Sequence, residues 1–332
     1  MTSSLFGGTR SRAIAALTTL AAAATVGLSV GAVASGTVLA GCEPAEHLPA
    51  RGPKQPPPCP PPPEPTYQAT VVGTIGKMHM VESRYPLSRL GDVLASFKPD
   101  LVLVAVRVDP YREGHLEDAS FEMTYVTNLA KQHGAAIEPI DWFREQDLAA
   151  PPAPVEPWDE AEVAKREAEV LTQPKLYNFD TANGAELAQK VLLATDAEAR
   201  YRSGNPIVSR RHAWMQQLAG SAVSRNGRPK RVLAYVDVLD RPTIDLLLHG
   251  VGYTMKEPAA VAAKSKEEII ADISPDVMNE WRMQLGRTGA RIESAKTPAE
   301  KAFWADRQRT LSVVVDKHAA CCVTQSALGV ER

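Results

Sequence analysis

The segment from Gln68 to Arg107 constrains the fold more than any other part of the chain. Ala69 to Val72 is a short β-branched run ending at Gly73, and Tyr85, Leu87, Leu90, Val93, Leu94 and Phe97 then recur at helical spacing. Pro99-Asp100 stops that helix before the continuous apolar run Leu101 to Val106. A run apolar on both faces suits a strand buried in a parallel sheet, with a crossover helix covering it, so the segment reads as a βαβ unit. A second stretch has the same form: a basic turn (Asn226 to Lys230), the buried run Arg231 to Val236, then Asp237-Val238-Leu239-Asp240 and a helix from Pro242 to His249 closed by Gly250. The expected fold class is α/β: a central, mostly parallel sheet of βαβ units, with a helical insert and a helical carboxyl-terminal region. Sheets of this kind bind ligands beyond the carboxyl ends of their strands, which directs attention to the loops after Val72, Val106 and Val236.

These two stretches resemble the superfamily that joins TraB and Tiki proteins, ChaN-like haem-binding proteins and erythromycin esterase-type hydrolases. Its bacterial members carry Gly-Thr-Ile-His-x-x-His, a Tyr-x-Leu helix and a Pro-Asp-x-x-Leu-x-Glu strand. The matching residues here are Gly73-Thr74-Ile75-Gly76-Lys77-Met78-His79, Tyr85-Pro86-Leu87 and Pro99 to Ala105, and an Arg-x-x-x-Met pattern survives as Arg211 to Met215. The resemblance covers residues 68 to 255. It implies a site whose polar core is the histidine of each Gly-x-x-His and the glutamate closing the second strand. In this chain those positions are Gly76, Ala105 and, for the later motif, Asp237 to Asp240. Glycine and alanine supply neither lone pairs nor a titrating group, so the implied fold carries over better than the implied activity.

The candidate pocket therefore comprises Gly73, His79, Glu122, Trp142, Arg211, Asp237 and Asp240. Converging, the carboxylates and the one imidazole would form an oxygen-rich set able to hold a divalent metal or position water. Each also has a simpler reading. His79 caps a turn or sits at the surface, Glu122 complements a helix dipole, and Asp240 is an N-cap for the helix at Pro242. Arg211 ties its helix to a carboxylate, and Trp142 is a buried anchor. No catalytic residue and no resident cofactor is assigned, with a divalent metal as the alternative; haem would need His79 as its axial ligand.

A net charge of -2 gives no basic footprint for nucleic acid, and a 44% hydrophobic content is that of a globular chain of 332 residues. Residues 1-41 read as a lipoprotein signal peptide. Arg10 and Arg12 precede an uncharged stretch that closes with Leu39-Ala40-Gly41-Cys42, which resembles a lipobox with Cys42 as the lipidated residue. An uncleaved membrane anchor is the other reading. Both make the membrane a partner and place the domain in the cell envelope, outside the cytoplasm. Residues 42-66 form a linker in which Arg51 to Pro65 holds nine of the chain's 26 prolines, a semi-rigid polyproline spacer. Cys59 lies in it, and Cys321-Cys322 have no zinc-ligand spacing.

Residues 67-255 are expected to form the α/β domain, with a helical insert over about 159-225 and residues 256-332 as helices packed on it. Within it, Phe121 to His133 reads as a helix, Ala135 to Ile140 as a strand, and Ala150 to Trp158 as a proline-rich loop. Asn183 with Glu186 has the form of a capping pair opening a helix to Tyr201. Ser265-Glu268, Ser274-Pro275 and Thr297-Glu300 mark helix starts, the last helix running to about Cys322 with a strand at Leu311 to Val315 as its alternative. Serine nucleophile chemistry has no Gly-x-Ser-x-Gly elbow to support it. The functional expectation is a lipid-anchored binding or scaffold module for a small-molecule ligand or an envelope protein. The alternative is a metal-dependent hydrolase rewired around His79, Asp237 and Asp240.

Overall fold

The computed structural model describes residues 66-144, 157-171, 178-201, 206-258 and 273-317. The expectations for the signal segment, the proline spacer, all four cysteines, the Ser265 cap and most of the 150-158 loop lie outside these residues. Five strands form one wholly parallel sheet: β1 (Gln68–Thr74), β2 (Leu101–Arg107), β3 (Ala136–Asp141), β4 (Arg231–Asp237) and β5 (Thr254–Met255). Their spatial order is β3-β2-β4-β1-β5. The α/β class read from the sequence is thus the observed one.

The continuous apolar runs become the central strands because only a doubly covered position hides both faces. Leu101 to Val104, Val106 and Val232 to Val236 have no exposed surface. After β1 comes a 3-10 turn, Gly76–Met80, and then α1 (Ser88–Phe97), which ends at Lys98 in a left-handed conformation with its N–H on Leu94 O. Short α2 (Val108–Arg112) follows β2, and α3 (Phe121–Gln132) leads to β3. Four helices then precede β4: α4 (Pro157–Leu171), α5 (Phe179–Ala182), α6 (Ala185–Tyr201) and α7 (Pro206–Arg225). Helix α8 (Arg241–Gly250) joins β4 to β5, and α9 (Pro275–Ser294) and α10 (Pro298–Lys317) complete the described chain.

The connections from β1 to β2 to β3 run one way along the sheet, while those from β3 to β4 to β5 run back. Right-handed crossovers put the helices of the two directions on opposite faces. Accordingly α1 packs on α3, and α7 packs on α8. The loops after β1 and β4, which are neighbours, therefore leave in opposite directions, making their carboxyl ends the switch point of the sheet. The carboxyl-terminal helices extend the same core. Trp281 on α9 is wholly buried and donates its indole N–H to Phe121 O at 3.0 Å. Helix α10 reaches the loop after β1 through Lys77 and Asp306, 2.8 Å apart.

The helix read through Leu311 to Val315 is the one observed, and its strand alternative is not: α10 buries Leu311 and Val314, and packing outweighs their β propensity. One local expectation changes. Asn183 does not open α6; it is the C-cap of α5, and its side chain points to β1. The Ser274 and Thr297 caps form as read: Ser274 Oγ accepts from Val277 N–H, and Thr297 and Glu300 bond each other's backbone N–H groups.

Candidate functional site

Strand β5 is two residues long and pairs with Gln68 and Ala69, so among the described residues no strand pairs with the carboxyl half of β1 on that side. Its backbone groups still need partners in the interior. Three side chains supply them. Asn183 Oδ1 accepts the Gly73 N–H at 2.8 Å, Tyr85 Oη donates to Gly73 O at 2.8 Å, and Arg241 Nε donates to Val71 O at 3.2 Å. Asn183 also donates to Tyr85 Oη at 3.3 Å and to Phe179 O at 2.9 Å, closing a ring of bonds. A Cβ at Gly73 would lie 3.0 Å from Val238 Cα and 3.3 Å from Ala182 O, both backbone atoms, so glycine is required by close approach.

His79 belongs to this arrangement. Its Nδ1 is 2.9 Å from Tyr85 O, which can only accept, so Nδ1 carries the proton. Its Nε2 lone pair accepts the Ile75 N–H at 3.1 Å. The imidazole is 3% exposed and lies edge-on to Tyr85, with ring centroids 4.5 Å apart. It is a neutral ring fixing the turn after β1, and neither nitrogen is presented as a metal or haem ligand. The surface position considered for it is not the one observed.

At the end of β4, Asp237 Oδ1 accepts the Leu239 N–H at 3.0 Å and shapes its own turn. Asp240 occupies the N-cap position of α8 but makes no side-chain cap bond. Its carboxylate is taken instead by Arg211 Nη1 and Nη2, at 2.9 and 2.8 Å, and by His212 Nε2 at 2.8 Å. Arg211 grips Asp141 with its other edge, Nε to Oδ1 at 2.8 Å and Nη2 to Oδ2 at 3.1 Å. One guanidinium thus forks to two buried carboxylates and binds the ends of β3 and β4 to α7. Burial pushes the Asp240 carboxyl up, but Arg211 and His212 pull it further down, leaving it well below the usual carboxylate range.

Glu122 lies in the first turn of α3 with no exposed surface, and neither carboxyl oxygen has a hydrogen-bond partner among the described residues. It makes no bond to His79, Arg211 or Asp240. The expected oxygen-rich convergence of His79, Glu122, Asp237 and Asp240 is therefore not formed: His79, Asp237 and Asp240 each resolve into separate internal bonds, and Glu122 stays apart from all three. Among the described residues no group of three or more His, Cys, Asp or Glu is arranged to hold a metal ion.

Open space lies further along the sheet. A cleft of about 440 Å³ sits between the carboxyl ends of β2 and β3 and the turn joining α9 to α10. Arg107, Asp109, Asp141, Trp142, Phe143 and Arg144 line the sheet side, and Arg291, Ser294, Lys296, Glu300 and Trp304 line the helical side. Arg107, the last residue of β2, pairs with buried Asp118, donates to Phe143 O at 3.2 Å and covers the Phe143 ring at 4.6 Å. Burial pushes the Asp118 carboxyl up and Arg107 offsets only part of that, so it lies above its ordinary value. Phe143 meets Phe303 edge-on at 6.0 Å, Phe303 meets Trp304 at 5.0 Å, and Arg291 lies 5.4 Å over Trp304. Trp142 stacks on Trp214 of α7, with centroids 5.6 Å apart and planes at 23°.

Of the residues anticipated from the sequence, Trp142 lines this cleft, Gly73 and His79 shape the end of β1, and Arg211 joins Asp240. Asp141, Asn183, His212, Arg241 and the helical wall at 291-304 were not anticipated. The one available signal was the placement of Asp141-Trp142-Phe143 at the ligand-facing end of a strand. Compared with models of known protein families, with curated proteins and with solved structures, the chain gives no match.

Proposed function

We propose that this chain is a lipid-anchored envelope protein whose TraB/Tiki-like domain serves as a ligand-binding module instead of a hydrolase. The observation that carries the reading is the contrast along one edge of the sheet. At the β1 and β4 ends the polar side chains bond one another and the backbone, so none is presented to a substrate as base or metal ligand. At the β2 and β3 ends a cleft with aromatic and cationic walls remains open, the composition and position expected of a small-molecule site. The family resemblance is supported by the use of its motif residues: Gly73 to His79 build the turn after β1, and Arg211 meets the residue that ends the later motif. Membrane attachment through Cys42 rests on the sequence.

Two experiments test this. A small-molecule panel titrated against the full chain in detergent is expected to give saturable changes in tryptophan fluorescence that Trp142→Leu removes. Metal-dependent ester or amide hydrolysis that Asp240→Ala abolishes while the chain stays folded would overturn the binding-module reading. For the anchor, labelled palmitate is expected in the wild type and absent from Cys42→Ser; label retained in that variant sinks the lipid assignment.

A further inference from the structure

A second cleft, of about 470 Å³, lies between α3, the loop after α2 and the first turns of α9, and it shares no lining residue with the β2/β3 cleft. We infer that it binds a small zwitterion, an ammonium and a carboxylate carried on an apolar body of amino-acid size. What decides the ligand is which polar atoms of the walls are still free to bond. On α3, Asn128 and Lys131 are one turn apart and share a face. Asn128 Oδ1 accepts from Gln132 at 2.9 Å and from Ser274 at 3.3 Å, which fixes the amide and leaves its Nδ2 donors unspent. The Lys131 ammonium is exposed and makes no ion pair among the described residues. The two threonines of this wall add no acceptor, since Thr124 Oγ1 takes the Gln284 amide at 2.9 Å and Thr127 Oγ1 has no exposed surface. Donors alone remain on the α3 wall, and they suit a carboxylate.

The α9 wall is the reverse. Asp276 and Glu280 stand one turn apart on it. Glu280 gives Oε1 to Gln284 and Arg287, each at 3.1 Å, and keeps Oε2. Asp276 is exposed, and neither of its carboxyl oxygens has a partner among the described residues. Acceptors alone remain here, and they suit an ammonium. Lys131 and Asp276 line one cleft yet form no ion pair with each other, so each charge is left for a ligand that carries both signs. Leu116 and Val277, both buried, give the lining its apolar part and account for an apolar body between the two charges.

Calorimetric titration of the full chain in detergent at neutral pH tests this with three probes: leucine, leucinamide, which keeps only the ammonium, and N-acetylleucine, which keeps only the carboxylate. Leucine is expected to bind at least about tenfold more tightly than either. Lys131→Gln and Asp276→Asn are each expected to weaken leucine about tenfold, and both side chains are exposed, so the variants keep the wild-type unfolding midpoint and the loss reports on the ligand. Trp142→Leu is expected to leave leucine affinity unchanged, because the two clefts share no lining residue. Leucinamide binding as tightly as leucine would remove the role of the α3 wall, and N-acetylleucine binding as tightly would remove that of the α9 wall; either result overturns the zwitterion assignment. Leucine binding that both variants retain would place the ligand elsewhere, and no binding of leucine overturns the inference outright.

Discussion

The β1/β4 end and the β2/β3 end of the sheet lie on the same edge, yet one is filled by the protein and the other is open. At the first, Asn183, Tyr85, His79 and Arg241 close the part of the β1 edge and its following turn that the two-residue β5 does not pair, and Arg211 locks Asp240 to Asp141. At the second, the walls come from elements far apart in sequence, and a cleft of about 440 Å³ separates them. A polar residue at the carboxyl end of a strand is therefore not evidence of chemistry by itself. What decides is whether its lone pairs and protons are spent inside the protein.

If the first region is structural, its loss shows in stability. Arg211→Ala leaves two buried carboxylates facing each other without a cation, which is expected to lower unfolding free energy by about 3–5 kcal/mol in urea denaturation. An unchanged midpoint would mean the network contributes nothing. Asn183→Ala leaves the buried Gly73 N–H without its acceptor, an expected loss of about 1–3 kcal/mol on the same measurement. A gain in stability there would show that the polar seal of the β1 edge is dispensable.

The acid limb gives a subtler check. Asp240 titrates below its unfolded value, so its contribution is fully present above the unfolded carboxylate range, about pH 4, and is lost as pH falls through the lower folded value. The groups facing it are Arg211 and His212, with Asp141 across the guanidinium. Asp240→Asn is expected to flatten the fall in melting temperature below about pH 4, and an unaltered acid limb would contradict the assignment. The smallest effect belongs to the second region. Lys296→Ala is expected to change stability by less than about 0.5 kcal/mol, because its side chain is exposed and its ammonium meets no carboxylate among the described residues. A loss of several kcal/mol would make Lys296 part of the framework.

The scaffold was legible where short-range chemistry and tertiary need agree. Leu101 to Val106 and Arg231 to Val236 could be read as central strands because an uninterrupted apolar run has few other homes in a folded chain. Ser274 and Thr297 could be read as caps because their partners lie three residues away. Asn183 followed by Glu186 carried the same local signature and went elsewhere, since an unpaired Gly73 N–H, 110 residues distant, had the stronger claim. The Arg211 forks span 70 and 29 residues, so nothing local names their partners. His79 was read as part of a motif, but the motif does not say that both ring nitrogens are bonded to backbone. The cleft was visible only through Trp142, because its other wall arrives from α9 and α10.

The central claim is that ligand enters the β2/β3 cleft and not the β1/β4 end. It is tested most directly by a nitrogen-proton correlation spectrum of the full chain titrated with each compound of the small-molecule panel. The account predicts that the indole signals of Trp142 and Trp304 move in a saturable way while the amides of Gly73 and Asn183 stay in place. Movement of Gly73 and Asn183 with both indoles unmoved would contradict it.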